Sequence, residues 1–198
     1  MKKILALTLA VVTVLLLVGC QQPKISRGTI EGDDYTNEFL GFTFTKPSTW
    51  KYYSDEEIAA TVNLSVDKLL GENFKDALEN NPSVYDMMVS DKRTGTNINV
   101  GYENLSKTLS TRITVEKYVD ELKKQLDSVS GMDVTFPTKY DTVKLGNSEF
   151  TKVVCRVSVS GASMAQVYYL QKKSGYMAFI IVTVPTGYSV DEIEAMFK

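Results

Sequence analysis

Histidine is absent from the 198 residues. That excludes the Ser-His-Asp triad, the Cys-His dyad, the helical zinc motif of metalloproteases and every imidazole proton shuttle. The only cysteines, Cys20 and Cys155, are too few for a Cys-rich zinc site or a disulfide scaffold. Gly-rich phosphate loops are missing, as are internal repeats and low-complexity stretches. Neither sign of charge dominates, with 22 basic against 24 acidic residues. That balance argues against nucleic acid as a partner. What is present, 43% apolar and 23% charged residues, suits a folded globular chain of one good-sized domain.

One long apolar run occurs, Ile4 to Val18, behind Lys2 and Lys3 and interrupted only by Thr8 and Thr13. A membrane-spanning helix needs about twenty apolar residues, so this run is short for an anchor and suits a secretory leader. It ends Leu17-Val18-Gly19-Cys20. A large apolar residue, a small one two positions later, then Cys is the order of a bacterial lipobox. The chemistry needs Cys, because the thiol sulfur takes a diacylglycerol as a thioether before cleavage makes Cys20 the first residue. The expectation is a signal peptide over 1–19, acylation (palmitate-type chains) at Cys20, and an extracytoplasmic domain lipid-anchored to the cell membrane. Two chains hold firmly, since each buried methylene contributes about 0.8 kcal/mol and one chain alone is marginal. Without Lys2 and Lys3 the basic count becomes 20 against 24 acidic, a balance of −4. Such a body has no polybasic grip on anionic lipid, so the lipid does the membrane work.

Residues 20–34 carry Pro23, Gly28 and Gly32 with little apolar periodicity and read as a flexible tether. Glu31, Asp33 and Asp34 lack the ligand spacing of an EF-hand and read as a solvated acidic linker. From Tyr35 to Lys198 strand and helix patterns alternate. Tyr35 to Asn37 and Gly41 to Thr45 predict two short strands, with Phe42 and Phe44 on one face. Trp50 to Tyr53 continues in extended form. Ser54-Asp55-Glu56-Glu57 and Ser189-Val190-Asp191-Glu192 are capping boxes opening helices. Asp67 to Leu78 has apolar residues at helical spacing. Tyr85 to Val89 and Thr96 to Tyr102 predict a hairpin. Thr114 caps a helix with Val115, Tyr118, Val119, Leu122, Leu126 and Val129 on one stripe, closed by Gly131. Four strands follow, Tyr140 to Leu145, Phe150 to Val159, Met164 to Lys172 and Tyr176 to Val184, joined by links short enough to require antiparallel pairing.

Met177 to Val182 is apolar at every position. A strand with one wet face would alternate, so this one is covered on both sides. The predicted fold class is α+β, a three-layer α/β/α sandwich with a mainly antiparallel sheet. The pattern Tyr35-Thr36-Asn37, Gly41-Phe42-Thr43-Phe44, Pro47 and Trp50 resembles the opening of PsbP-like domains, the fold shared with the Ran-binding Mog protein. Asn97-Ile98-Asn99-Val100, Glu103-Asn104-Leu105 and the helix from Thr114 fit the middle, and three hairpin-linked strands with a final helix fit the end. The resemblance spans 35–198. It implies a non-catalytic binding or assembly module, and it brings no catalytic motif to transfer.

Single residues add little chemistry. Cys155 shares an apolar strand face with Val153, Val157 and Val159 and reads as core, without a base to activate it. Trp50, Tyr52 and Tyr53 form an aromatic cluster that could line a binding surface, although Trp50 also suits a core corner. Tyr168 and Tyr169 point to opposite faces. Ser65-Val66-Asp67-Lys68 matches the letters of a penicillin-reactive element but lacks its Lys-Thr-Gly partner, and Ser65 reads as a helix cap. The expectation is therefore a lipid-anchored, non-catalytic module binding an envelope protein or a small envelope ligand, with no catalytic residue, metal or cofactor. The alternatives are a cell-envelope hydrolase working through carboxylates alone and a solute-binding accessory lipoprotein.

Overall fold

The computed structural model describes residues 24–63, 66, 74–185 and 188–198. Cys20, the leader 1–19 and Ser65-Val66-Asp67-Lys68 as a unit lie outside the described residues.

A mainly antiparallel sheet covered by helices is present, as the patterning predicts. Its order is β4 (Lys51–Tyr52), β5 (Ser83–Ser90), β6 (Asn97–Asn104), β11 (Tyr176–Val184), β10 (Ala162–Lys173), β9 (Ser148–Val159) and β7 (Met132–Thr135). The eighth strand, β8 (Asp141–Leu145), pairs with another stretch of β9. Every pairing among the described strands is antiparallel.

The central strand β11 shows why its run is apolar throughout. Ala178, Ile180, Val182 and Val184 join Ile98, Val100, Tyr102, Val167 and Tyr169 on one face. Met177 and Phe179 join Val153, Cys155, Tyr168 and Leu170 on the other. Each large side chain so buried stabilises the fold by about 1.5–3 kcal/mol. The first face is covered by a small sheet, β1 (Thr29–Glu31), β2 (Asp34–Asn37) and β3 (Phe42–Thr45), together with α1 (Asp55–Thr61), α2 (Phe74–Asn80) and α5 (Val190–Glu194). The second face lies under α3 (Leu105–Thr108) and α4 (Val115–Asp127). One outer layer is thus helices alone and the other mixes helices with strands.

The capping boxes form as read. Glu57 N–H donates to Ser54 Oγ and Ser54 N–H to the Glu57 carboxylate, and Ser189 with Glu192 repeats the exchange at α5. Beyond α5 the chain pairs with β3. Thr43 and Lys198 exchange backbone hydrogen bonds at 2.8 Å each, and Phe197 sits 5.2 and 5.1 Å from Phe42 and Phe44, ring to ring. Thr114 caps α4, but the helix stops at Asp127, so Val129 is 43% exposed instead of continuing the buried stripe.

The tether reading holds less far than 34. Thr29 to Glu31 pair with Asp34 to Thr36, and the turn between them passes through Gly32 at φ +62°. Asp33 fastens this hairpin by binding the Lys46 ammonium at 2.5 Å. Arg27 and Gly28 are fastened to the body, as described below. The globular unit therefore starts before Tyr35. Strand β7 was also not anticipated. Short, half-exposed strands of this kind are held by partners remote in sequence and leave weak local periodicity.

Candidate functional site

Among the described residues a groove of about 830 Å³ runs along β5, bordered by Tyr53, the end of α1, the β5–β6 turn and β6. Pairing of β5 with β6 brings Ser90 opposite Asn97, Met88 opposite Asn99 and Tyr85 opposite Gly101. These residues share a face because side chains alternate along a strand. The intervening Ile98, Val100 and Tyr102 go to the core. Helix α4 reaches this face at Glu103, which accepts the Tyr118 hydroxyl at 2.6 Å. Asn97 and Asn99 remain half-exposed.

Three of the groove's polar side chains, Asn97, Asn99 and Ser90, are loosely engaged. Asn99 Nδ2 lies 3.4 Å from Asn97 Oδ1, and Asn97 Nδ2 donates to the Gly95 carbonyl at 3.2 Å. Ser90 Oγ lies 3.4 Å from Tyr53 Oη. Charge enters at the β5–β6 turn. There Asp91 accepts from the Arg93 amide at 2.9 Å and pairs with its guanidinium at 3.2 Å. Lys92 is exposed at the rim.

Trp50, Tyr52 and Tyr53 do not make one binding surface. Their backbone is extended, so consecutive side chains diverge. Trp50 is 2% exposed, edge-on to Tyr188 at 5.5 Å, and donates Nε1–H to its hydroxyl at 3.3 Å. It is the core corner residue. Tyr52 leans under Lys46, whose ammonium is 5.5 Å from the ring, and donates to the Asp33 carbonyl. Burial, then the charges of Asp34 and Asp33, push the Tyr52 phenol up. Only Tyr53 lines the groove.

A second polar cluster, unsuspected from sequence, surrounds Asp86. A bulge between Tyr85 and Met87 inserts Asp86 as an extra residue and turns it toward β2. Its fully buried carboxylate accepts from Tyr35 Oη at 2.6 Å, Gly28 N at 3.0 Å and Asn37 Nδ2 at 3.0 Å, with Arg27 Nε at 3.3 Å. Arg27 also forms a bidentate pair with Asp55. Burial pushes the Asp86 carboxyl above the usual range, against the downward pull of the Tyr35 hydroxyl, the Gly28 amide and Arg27. Its lone pairs are committed to holding segments together, which makes it a clamp and not an acid–base group. Gly28 is required there, because a Cβ would stand 2.4 Å from the Tyr35 ring.

Cys155 is buried, and desolvation pushes its thiol up to about 12, as suits a small core residue. Among the described residues no group of three or more Cys, Asp or Glu side chains is placed to hold a metal ion. No described helix is long and apolar enough to cross a membrane.

Asn97 and Asn99 are the groove residues that sequence reading passed over. The signal was visible in Thr96 to Tyr102, where amides alternate with Ile98, Val100 and Tyr102. Such alternation marks one face as polar, but not whether a helix covers it.

No protein-family model matches the chain, and no curated protein matches it. Several solved structures share a general likeness, among them the following two. The solution structure of cyanobacterial PsbP (CyanoP) from Synechocystis sp. PCC 6803 is 12% identical, with a TM-score of 0.49 over 92% of this chain and 98% of that one. A crystal structure from Bacteroides thetaiotaomicron VPI-5482 is 15% identical, with a TM-score of 0.40 over 87% of this chain. This chain spans 48% of that second protein. At these scores and identities neither likeness carries a residue role or a partner to this chain.

Proposed function

We propose that the protein is an extracytoplasmic lipoprotein, anchored through Cys20, whose PsbP-like domain binds an envelope partner or ligand without catalysing a reaction. The observation that carries the binding reading is the groove on β5 and β6: a broad concavity with a hydrogen-bonding floor. The lipobox order Leu17-Val18-Gly19-Cys20 supports the anchor. The strand and aromatic pattern from Tyr35 to Trp50 supports the domain type. Among the described residues lining the groove the one carboxylate is Asp91, held by Arg93, so a two-carboxylate hydrolase has no pair there.

Two measurements test the two halves of the reading. Cys20→Ala should shift the folded domain from the membrane fraction to the soluble extracytoplasmic fraction, and unchanged membrane retention would refute the anchor. A lipidated double variant, Asn97→Ala with Asn99→Ala, should reproduce the phenotype of deleting the gene while the protein stays folded and abundant. Full function in that double variant would remove the groove from the account.

A further inference from the structure

We propose that the β5–β6 groove takes a neutral, polyhydroxylated ligand, a saccharide in chemical class. The inference rests on the groove being the binding surface and adds what it selects. Three kinds of ligand are disfavoured by the groups present. An anion such as a phosphate or carboxylate calls for Arg or paired cations placed to grip it. Among the described residues Arg93 is paired with Asp91, and the one cation lining the groove is Lys92 at the exposed rim. A hard cation calls for several oxygen ligands with carboxylates among them. Here Asp91, the one lining carboxylate among the described residues, already accepts from the Arg93 amide and guanidinium. A wholly apolar ligand would strand the carboxamides and hydroxyls of the floor, at a cost for each polar group desolvated without a partner.

What remains matches hydroxyl groups. A carboxamide offers donor and acceptor side by side, as a vicinal diol does. Asn97 and Asn99 lie two residues apart on one strand and their carboxamides meet at 3.4 Å, which sets two amide groups side by side along one line. Their present hydrogen bonds, at 3.2 and 3.4 Å, are long and can be exchanged for ligand hydroxyls. Across the strand pair the half-buried Tyr85 supplies apolar surface for the C–H face of a ring, and the half-buried Tyr53 brings a further hydroxyl. Apolar surface with a few placed polar groups is the usual make-up of a small-molecule site.

The test is calorimetric titration of the full chain, solubilised in a detergent without a sugar headgroup. The probes are maltotriose, cellotriose, mannotriose and chitotriose at millimolar concentration, with trigalacturonate and inorganic phosphate as charged controls. The expected result is saturable binding of at least one neutral trisaccharide. Asn99→Ala should weaken it about tenfold, the loss of one or two hydrogen bonds. Lys92→Ala should leave it unchanged. Thermal melting of each variant, and Asn99→Asp as a near-isosteric second replacement, separate lost binding from lost folding. Binding of none of the neutral trisaccharides overturns the inference. Binding of trigalacturonate or phosphate that depends on Lys92 also overturns it, while leaving the groove as a binding surface. Neutral binding indifferent to both asparagines overturns the inference and the groove together.

Discussion

Asp86 joins three parts of the chain through one carboxylate: the segment entering the domain at Arg27 and Gly28, strand β2 through Tyr35 and Asn37, and its own strand. Removing it leaves the half-buried Gly28 N–H and the buried Tyr35 hydroxyl without this acceptor and strips Asn37 Nδ2 of one of its three. Asp86→Ala should therefore cost about 3 kcal/mol or more, measured by urea denaturation. The pH dependence has a defined sign. Burial raises the Asp86 pKa, so the folded protein keeps this proton where the unfolded chain, near an ordinary pKa of about 3.9, has released it. The group's contribution is complete below the unfolded value and is lost as pH rises through the folded one. Asp86→Asn removes this titration. The stability difference between wild type and Asp86→Asn should move against the wild type as pH climbs through that window and then level off. A difference that is flat with pH would show that the native pKa is not raised. Nothing in Val84-Tyr85-Asp86-Met87-Met88 betrays this role, because the bulge that turns Asp86 inward and the hairpin that meets it are set by pairing far along the chain.

At the level of elements, what could be read from sequence was what is encoded within a few residues. The Ser54 and Ser189 boxes, the β5–β6 hairpin and the three strands after Phe150 formed where propensity and period placed them. Strand β1 escaped, because Thr29 to Glu31 is held by β2 and by Arg27, whose guanidinium also meets the Asp86 carbonyl 59 positions away. The half-exposure of Asn97 and Asn99 escaped for a geometric reason. Helix α4 has 13 residues and extends about 20 Å, enough for one end of the second face and short of Asn97 and Asn99. The chain after α5 is a further non-local element. It adds to the edge of β3 through Thr43 and Lys198 and drives Phe197 between the rings of Phe42 and Phe44. With Phe197 only 7% exposed, Phe197→Ala should cost about 3–5 kcal/mol and lower the thermal midpoint. A loss below about 1 kcal/mol would mean that this edge contributes little to the small sheet.

For the whole molecule, if Cys20 carries the proposed lipid, the docking of Arg27 sets how far the domain can stand from it. If the chain were free to Asp34, fourteen residues would separate it from Cys20 and allow about 50 Å of reach; docked at Arg27, seven residues allow about 25 Å. Tyr53 borders both the groove and the shallow hollow around Arg27, Gly28 and Asp86. The groove and the place where the chain enters the domain are thus neighbours. Trypsin reports this directly, because cleavage after an arginine requires its side chain to leave Asp55 and Asp86 and enter the protease. Lys24 is exposed and Arg27 is half-buried. Brief digestion of the full chain should release a domain beginning at Ile25, with the Arg27–Gly28 bond intact. In Asp86→Ala the same digestion should go on to a domain beginning at Gly28, three residues shorter by mass spectrometry. Cleavage of the wild type after Arg27 as fast as after Lys24 would mean that the strap is not held in solution, and the longer reach would then apply.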